Sequence, residues 1–440
     1  MKIAVSALVV TAAAVFGAQS IDLTSKSAVM AAGKAAMGPL KMFFAAYNAD
    51  DGAWIEQFDD GHYLIQWHES GIYWDLFYNY MKWSGDTSYL DFVDSNMQLS
   101  AGGNDDFLNG QSAITELSGR WNDDIGWWAL ATMTAAETFG QSAIVAPHNI
   151  QAGFNPTYLS LTNVTLYEMF LDWDTACGGG IYWSRDRNST ASNDAFYKST
   201  ITNAEAMDAL ARMYKITHIA DYKTRFDQVY AWLKSSGIIT STYVIYDGVY
   251  TTSCSSPSTE VYSYHNAELI SAHSIMYEAT NDATYLTEAT NIFNGFVAQF
   301  VNSTDNTYSI EPDCPPSSCP KSPSGYNFPG YRALSTLFNA TSDSTVRSQI
   351  STILTASAAA NFQLCDSNWY CIRNLPAGTE FALENGTNIR DQFETVAILN
   401  ALTVIVGVDQ NGATVTTTGT KTSGASRFIG GLFGIVVSLG

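Results

Sequence analysis

The sequence predicts an all-α protein of stacked helical hairpins. Three observations carry that expectation: apolar residues recur at helical spacing over long stretches, prolines cluster in one place, and a helix–turn–helix phrase repeats. From Asn122 to Phe139 the apolar positions Ile125, Trp128, Ala129, Ala135, Ala136 and Phe139 keep close to a helical period. The pattern continues from Asn203 to Leu233 through Met207, Leu210, Ala211, Tyr214 and Ile219. It returns from Asn266 to Phe300 through Leu269, Ile270, His273, Met276, Tyr277 and Leu286. Six of the eleven prolines fall between Pro312 and Pro329, and that stretch reads as one loop excursion. Proline removes a backbone donor and clashes with the preceding turn.

The repeated phrase runs from Tyr80 to Leu90, with Asp86 and Tyr89, and again from Tyr277 to Leu286, with Asp282 and Tyr285. A looser copy spans Met213 to Tyr222 and carries Asp221. Each reads as a helix end, a short turn, and an aspartate capping the next helix, where its carboxylate accepts from the unsatisfied first-turn N–H groups. Such hairpins stack either as an open solenoid or as a closed toroid, and closure removes the ends that a solenoid must cap. No linker interrupts residues 19–410, which read as one domain.

Composition narrows the partners. The 440 residues hold 21 Lys+Arg against 42 Asp+Glu, a net charge of −21, which leaves nothing to neutralise a phosphate backbone and excludes nucleic acid. Apolar residues at 46% supply a large core, while 13% aromatic and only 14% charged residues suit a neutral substrate such as a sugar.

Both ends resemble processing signals. Residues 1–18 read as a secretory signal peptide: Lys2 precedes an apolar run from Ile3 that ends in the small residues Gly17 and Ala18. Residues 411–427 are rich in Thr, Gly and Ser and read as a linker with a GPI-attachment site, with Ser423, Gly424 and Ala425 as candidates. Residues 428–440 form the apolar tail that attachment removes. That tail is shorter than the about 20 residues of a bilayer span. The expectation is a secreted protein held at the cell surface through a GPI anchor, in the plasma membrane or the cell wall.

Secretion fits the remaining signals. Asn163, Asn188, Asn302, Asn339 and Asn385 each begin an Asn-x-Ser/Thr glycosylation sequon. An oxidising compartment favours disulfides among the six cysteines. The close pairs Cys314/Cys319 and Cys365/Cys371 are the expected partners, which leaves Cys177 with Cys254. No motif calls for a metal or an organic cofactor.

The chemistry concentrates in Gly119-Arg120-Trp121-Asn122-Asp123-Asp124-Ile125-Gly126-Trp127-Trp128. Two adjacent carboxyls at a helix start diverge by about 100°, so they reach different points of one cleft. Each raises the proton affinity of the other, so one stays protonated while its neighbour ionises. Glycoside hydrolysis needs that division between an acid and a nucleophile or base. The flanking indoles offer faces for sugar C–H groups. The same residues also fit an N-cap with a dipole-compensating aspartate above core tryptophans. Asp105-Asp106 sits in a Gly/Asn turn and reads as a solvated loop. Trp67 and His68 read as core more readily than as cleft.

The Trp-Asn-Asp-Asp-x-x-Trp-Trp stretch, continuing to Ala135-Ala136-Glu137, resembles the catalytic segment of family-76 glycoside hydrolases. These include bacterial endo-α-1,6-mannanases and GPI-anchored fungal cell-wall proteins of filamentous growth. Cys177-Gly178-Gly179-Gly180-Ile181-Tyr182-Trp183, Tyr197-Lys198-Ser199-Thr200-Ile201-Thr202-Asn203, Tyr262-Ser263-Tyr264-His265-Asn266 and Phe328-Pro329-Gly330-Tyr331-Arg332 resemble further segments of the family. The chain departs from the family pattern at Ser199, His265, Asn266 and Ala267, and its Arg332 segment is shortened.

The resemblance implies an (α/α)6 barrel, Asp123 as nucleophile and Asp124 as general acid/base of a retaining enzyme. It implies sugar contacts from Trp127, Trp128, Trp183, Asn203, Tyr264 and Arg332. It also implies an α-1,6-mannose-containing substrate such as the core glycan of GPI anchors, with transfer of the glycan to cell-wall glucan. Release to water and a non-catalytic mannan-binding wall protein are the rival readings.

Overall fold

The computed structural model describes residues 19–46, 67–101, 107–108, 120–143, 156–188, 193–308, 311, 323–371 and 387–406. Twelve α-helices run through them: α1 (Lys26–Ala46), α2 (Trp67–Ser84), α3 (Leu90–Ala101), α4 (Asn122–Phe139), α5 (Tyr158–Leu171), α6 (Thr200–Thr217), α7 (Ala220–Ser235), α8 (Ser263–Thr280), α9 (Ala283–Phe300), α10 (Pro323–Ala340), α11 (Ser344–Phe362) and α12 (Thr387–Ile405). The even-numbered helices close a ring, because α2 packs on α4, α4 on α6, α6 on α8, α8 on α10, α10 on α12, and α12 back on α2. The odd-numbered helices pack outside it. The toroid is therefore the closed alternative, an (α/α)6 barrel.

Burial separates the rings. Every residue of α6 from Thr200 to Met213 is buried, as expected of a helix enclosed on all sides. Its outer partner α7 buries only Phe226, Val229, Trp232 and Leu233, a single stripe at helical spacing. The hairpin joints are set locally. The Ser199 side chain accepts from Thr202 N–H at the start of α6, and His218 ends that helix in a left-handed conformation. Asn281 ends α8 in the same way, and Asp282 then caps α9.

Asp282 fills the capping role that the repeat predicts, whereas Asp221 lies inside the first turn of α7, after Ile219 at the cap. The continuous patterns at 203–233 and 266–300 each split into two helices at those joints. The proline stretch is also corrected: Pro323 starts α10 and Pro329 lies inside it. Proline at a first helical position gives up only an N–H that has no partner anyway. One short antiparallel sheet, β1 (Tyr197–Ser199) with β2 (Gly248–Tyr250), was not foreseen from helical periodicity.

Disulfides Cys177–Cys254 and Cys365–Cys371 are formed as expected. Cys314, Cys319, Asn385, Asp105, Asp106, residues 1–18 and residues 411–440 lie outside the described residues. Asn163, Asn188 and Asn339 are exposed and Asn302 is half-buried. Among the described residues no helix is long and apolar enough to cross a membrane.

Candidate active site

The inner helices α4, α6 and α8 begin around one groove of about 270 Å³, lined by Asp123, Trp183, Asp194, Tyr197, Asp247 and Tyr264 among others. Their N-termini present partial positive charge there. Asp123 and Asp124 occupy the first turn of α4, after Trp121 at the cap. Asp123 faces the groove. Asp124 is 8% exposed, and His68 Nδ1 stands 3.3 Å from its Oδ1. His68 thus belongs to the site, contrary to the core reading, while Trp67 does pack in the core against Trp128 with ring centroids 5.3 Å apart. Residue type alone does not show which side of a helix start meets the cleft.

Burial pushes the Asp123 carboxyl up, and the negative charge of Asp247 adds to the rise. The Trp183 indole and the N–H groups at the helix start pull the other way. Asp124 is pushed well above the carboxylate range, first by burial and then by the charge of Asp123. Beneath the pair lies a third acid. Glu205 is fully buried, neither carboxyl oxygen has a hydrogen-bond partner, and burial with the nearby Asp123 charge drives its proton affinity far up. Its carboxyl packs on Gly126, where an added Cβ would fall 1.9 Å from Oε2. Glycine at 126 is what admits it.

Two phrases of the sequence, Cys177–Trp183 and Tyr197–Asn203, build the groove wall. Lys198 is fully buried, and its Nζ donates to Asp174 Oδ1 at 2.6 Å, Ala176 O at 2.9 Å and Gly179 O at 2.7 Å. It therefore clamps the Cys177–Gly180 turn. Gly180, at φ 92, lies against Trp232, which leaves no room for a side chain. Asn203 accepts from Ile181 N–H at 2.9 Å and donates to Ile181 O at 3.0 Å. These bonds fix the segment that carries Trp183, whose own N–H donates to Tyr197 O at 2.8 Å. Trp183 stacks on Trp121 with centroids 5.2 Å apart.

Of the expected sugar contacts, Trp183 and Tyr264 line the groove. The structure places the others away from the groove lining. Trp128 is fully buried in the core and Asn203 is spent on backbone. Trp127 is 7% exposed and packs on Phe328. Arg332 lies deeper in the barrel, donating to Asp75 at 2.8 Å and to both Glu268 oxygens at 2.6 and 2.7 Å. Asp247 and Glu205 were missed, because one looks like an ordinary Asp-Gly turn and the other like a helix-surface glutamate. Among the described residues no group of His, Cys, Asp and Glu is arranged to hold a metal ion.

Comparison with known proteins places this geometry. Residues 28–410 match glycosyl hydrolase family 76. Among curated proteins, the mannan endo-1,6-alpha-mannosidase DCW1 of Saccharomyces cerevisiae is 27% identical over 248 residues, covering 55% of this chain and 51% of that protein. DFG5 of the same yeast, with the same activity in its name, is 24% identical over 288 residues, covering 64% and 58%. The chain spans about half to three fifths of the length of the curated relatives it matches. Among solved structures, Dfg5 from Chaetomium thermophilum in complex with glucosamine superposes with a TM-score of 0.72 at 19% identity, covering 88% of this chain and 92% of that one. An inactive alpha-1,6-mannanase variant of Salegentibacter sp., with two adjacent aspartates changed to alanine and alpha-1,6-mannotetrose bound, gives 0.64 at 16% identity, covering 85% and 99%. A match that runs through nearly the whole described barrel, Asp123 and Asp124 included, makes this chain a member of glycosyl hydrolase family 76.

Proposed function

We propose that the protein is a retaining glycosidase that cleaves α-1,6-mannosidic bonds, with Asp123 as nucleophile and Asp124 as general acid/base. The observation that carries this is the adjacent pair in the first turn of α4, with Asp123 lining the groove and the proton affinity of Asp124 raised by burial and by the charge of its neighbour. The Asp123 carboxylate attacks the anomeric carbon while Asp124 gives its proton to the departing glycosidic oxygen. An acceptor hydroxyl then attacks the same carbon, returns its proton to Asp124 and frees Asp123. His68 stands beside Asp124 through both proton transfers. The fungal relatives' names and the mannotetrose bound to the bacterial relative support the linkage.

The finer reading is a secreted, GPI-anchored enzyme that acts on the mannose core glycan of GPI anchors and passes it to cell-wall glucan. Among the described residues four carboxylates and no lysine or arginine line the groove, which suits a neutral or amine-bearing saccharide and repels anionic ones. The glucosamine bound to the Chaetomium relative supports the same choice. Asp123→Asn and Asp124→Asn should each end turnover with the fold intact, and wild-type activity in either refutes the assignment. Product analysis with a glucan acceptor separates transfer, which yields a hybrid glycan, from release to water. A non-catalytic mannan binder would trap no covalent adduct with an activated fluoro-mannoside.

A further inference from the structure

A third carboxylate on the groove wall has a setting unlike that of the pair. Asp247 immediately precedes β2 and lines the same cavity as Asp123. Its Oδ2 accepts the Tyr197 hydroxyl at 2.5 Å, and its Oδ1 lies 3.3 Å from Nε2 of the fully buried His265. Its backbone is held as well: Thr200 N–H donates to Asp247 O at 2.7 Å, and Asp247 N–H donates to Ser258 O at 3.2 Å. Burial alone would raise this carboxyl, yet His265 and Tyr197 bring it below the ordinary carboxylate range. It therefore stands ionised, and its charge acts on Asp123.

Other charged groups face these two from every neighbouring element. Tyr197 on β1, Tyr250 on β2 and His265 on α8 face Asp247. Asp123 acts in turn on Asp124 of α4 and on Glu205 of α6, and His68 and Glu69 of α2 face Asp124. Asp194 and Glu260 complete the acidic lining, with Arg120 Nη2 3.9 Å from Asp194.

We propose that Asp247 is a positioning residue for the reaction read above: a fixed anion, anchored by Tyr197 and His265, whose repulsion of Asp123 is released when that carboxyl becomes a glycosyl ester. No atom of Asp247 joins the reaction. The C1–oxygen bond of the substrate breaks, the Asp123–C1 bond forms, and the Asp124 proton leaves with the departing oxygen. The charge of Asp123 disappears in that step, so a neighbouring fixed charge favours the covalent intermediate over the free enzyme. Asp247 also remains as a counter-charge to the positive sugar ring of the transition state. This inference rests on the double-displacement reading.

Asp247→Asn keeps the shape and the backbone bonds and removes the charge. Asp123 then ionises more easily, so the acid limb of kcat/KM on an α-1,6-mannooligosaccharide should move to lower pH by on the order of one unit, the size of one unit charge acting across a groove. Adduct formation with an activated fluoro-mannoside should slow by up to about tenfold, the same energy read as a rate. A purely structural role would lower activity without moving the limb. Tyr197→Phe leaves the carboxyl but weakens its anchor, and should move the limb the same way by less. It also serves as the test should Asp247→Asn fail to fold. An acid limb unmoved in every folded variant, with adduct formation at the wild-type rate, overturns the role of Asp247 alone. Wild-type protein that forms no adduct overturns double displacement itself, and this proposal with it.

Discussion

Helix α4 carries acids at both ends, and the two ends behave in opposite ways. At its N-terminus Asp123 is half-buried and Asp124 and the underlying Glu205 are buried; among the described residues none of the three forms an ion pair with an arginine or lysine, and their proton affinities rise. At its C-terminus burial also acts to raise Glu137, but Lys82 and Arg212 bring that carboxyl down to about 2. Lys82 Nζ lies 2.5 Å from Glu137 Oε2 and Arg212 Nη1 3.5 Å from it. Deeper in the barrel Arg332 joins Asp75 and Glu268, and Arg212 joins Asp208. Burial acts at both ends, and at Glu137 the two paired cations reverse it, whereas the deeper Glu268 stays raised to about 8 despite Arg332. At the groove end the acids have raised proton affinities and can change charge, as a reaction requires; at the other end Glu137 stays charged.

The comparison can be broken in order of expected effect. Asp123→Asn should lower kcat/KM by at least about a thousandfold, and Asp124→Asn by about a hundredfold to ten-thousandfold, with circular dichroism and melting unchanged. Arg332→Met leaves Asp75 and Glu268 buried without their cation and should destabilise the fold by about 3–5 kcal/mol in denaturant titration.

The ends should also differ in pH dependence. Glu137 has its folded affinity depressed, from 4.5 to about 2, so its stabilisation is present above about pH 4.5 and is lost as pH falls toward 2. Glu137→Gln should remove about 3 kcal/mol of that acid-side dependence. Glu205 is raised, so the folded state holds a proton that the unfolded chain releases above its ordinary 4.5, and stability falls as pH rises. Glu205→Gln should therefore gain on the wild type with rising pH, and a parallel pair of stability curves would remove the contrast. Smallest of these, Gly126→Ala drives a methyl into the Glu205 carboxyl and should cost about 1–3 kcal/mol, read from the melting midpoint.

Much of this was legible in the sequence where a local rule decides. The span of α4, the cap at Asp282, and the Cys177–Cys254 and Cys365–Cys371 bridges follow from periodicity, side-chain capping and cysteine spacing. Less of the groove was legible. Trp128, Asn203 and Arg332 belong to phrases that match the family, yet they pack the barrel or tie its backbone. A motif marks residues needed together without saying which of them touch a ligand. His68 and Asp247 had no motif of their own and reach the site only because α2 begins beside Asp124 and the turn before β2 lines the groove.

By itself the amino-acid order determined that the chain forms helices in pairs, that two acids stand side by side at one helix start, and that aromatic residues flank them. These are properties of neighbours along the chain, set by backbone geometry within a turn or two. Folding in three dimensions decided that the ring closes and which carboxyls meet cations. It also decided that Glu205 rests against Gly126 and that Asp247 looks across at Asp123. Proton affinity depends on dielectric and on charges a few ångströms away, and those charges are brought in by helices distant in sequence.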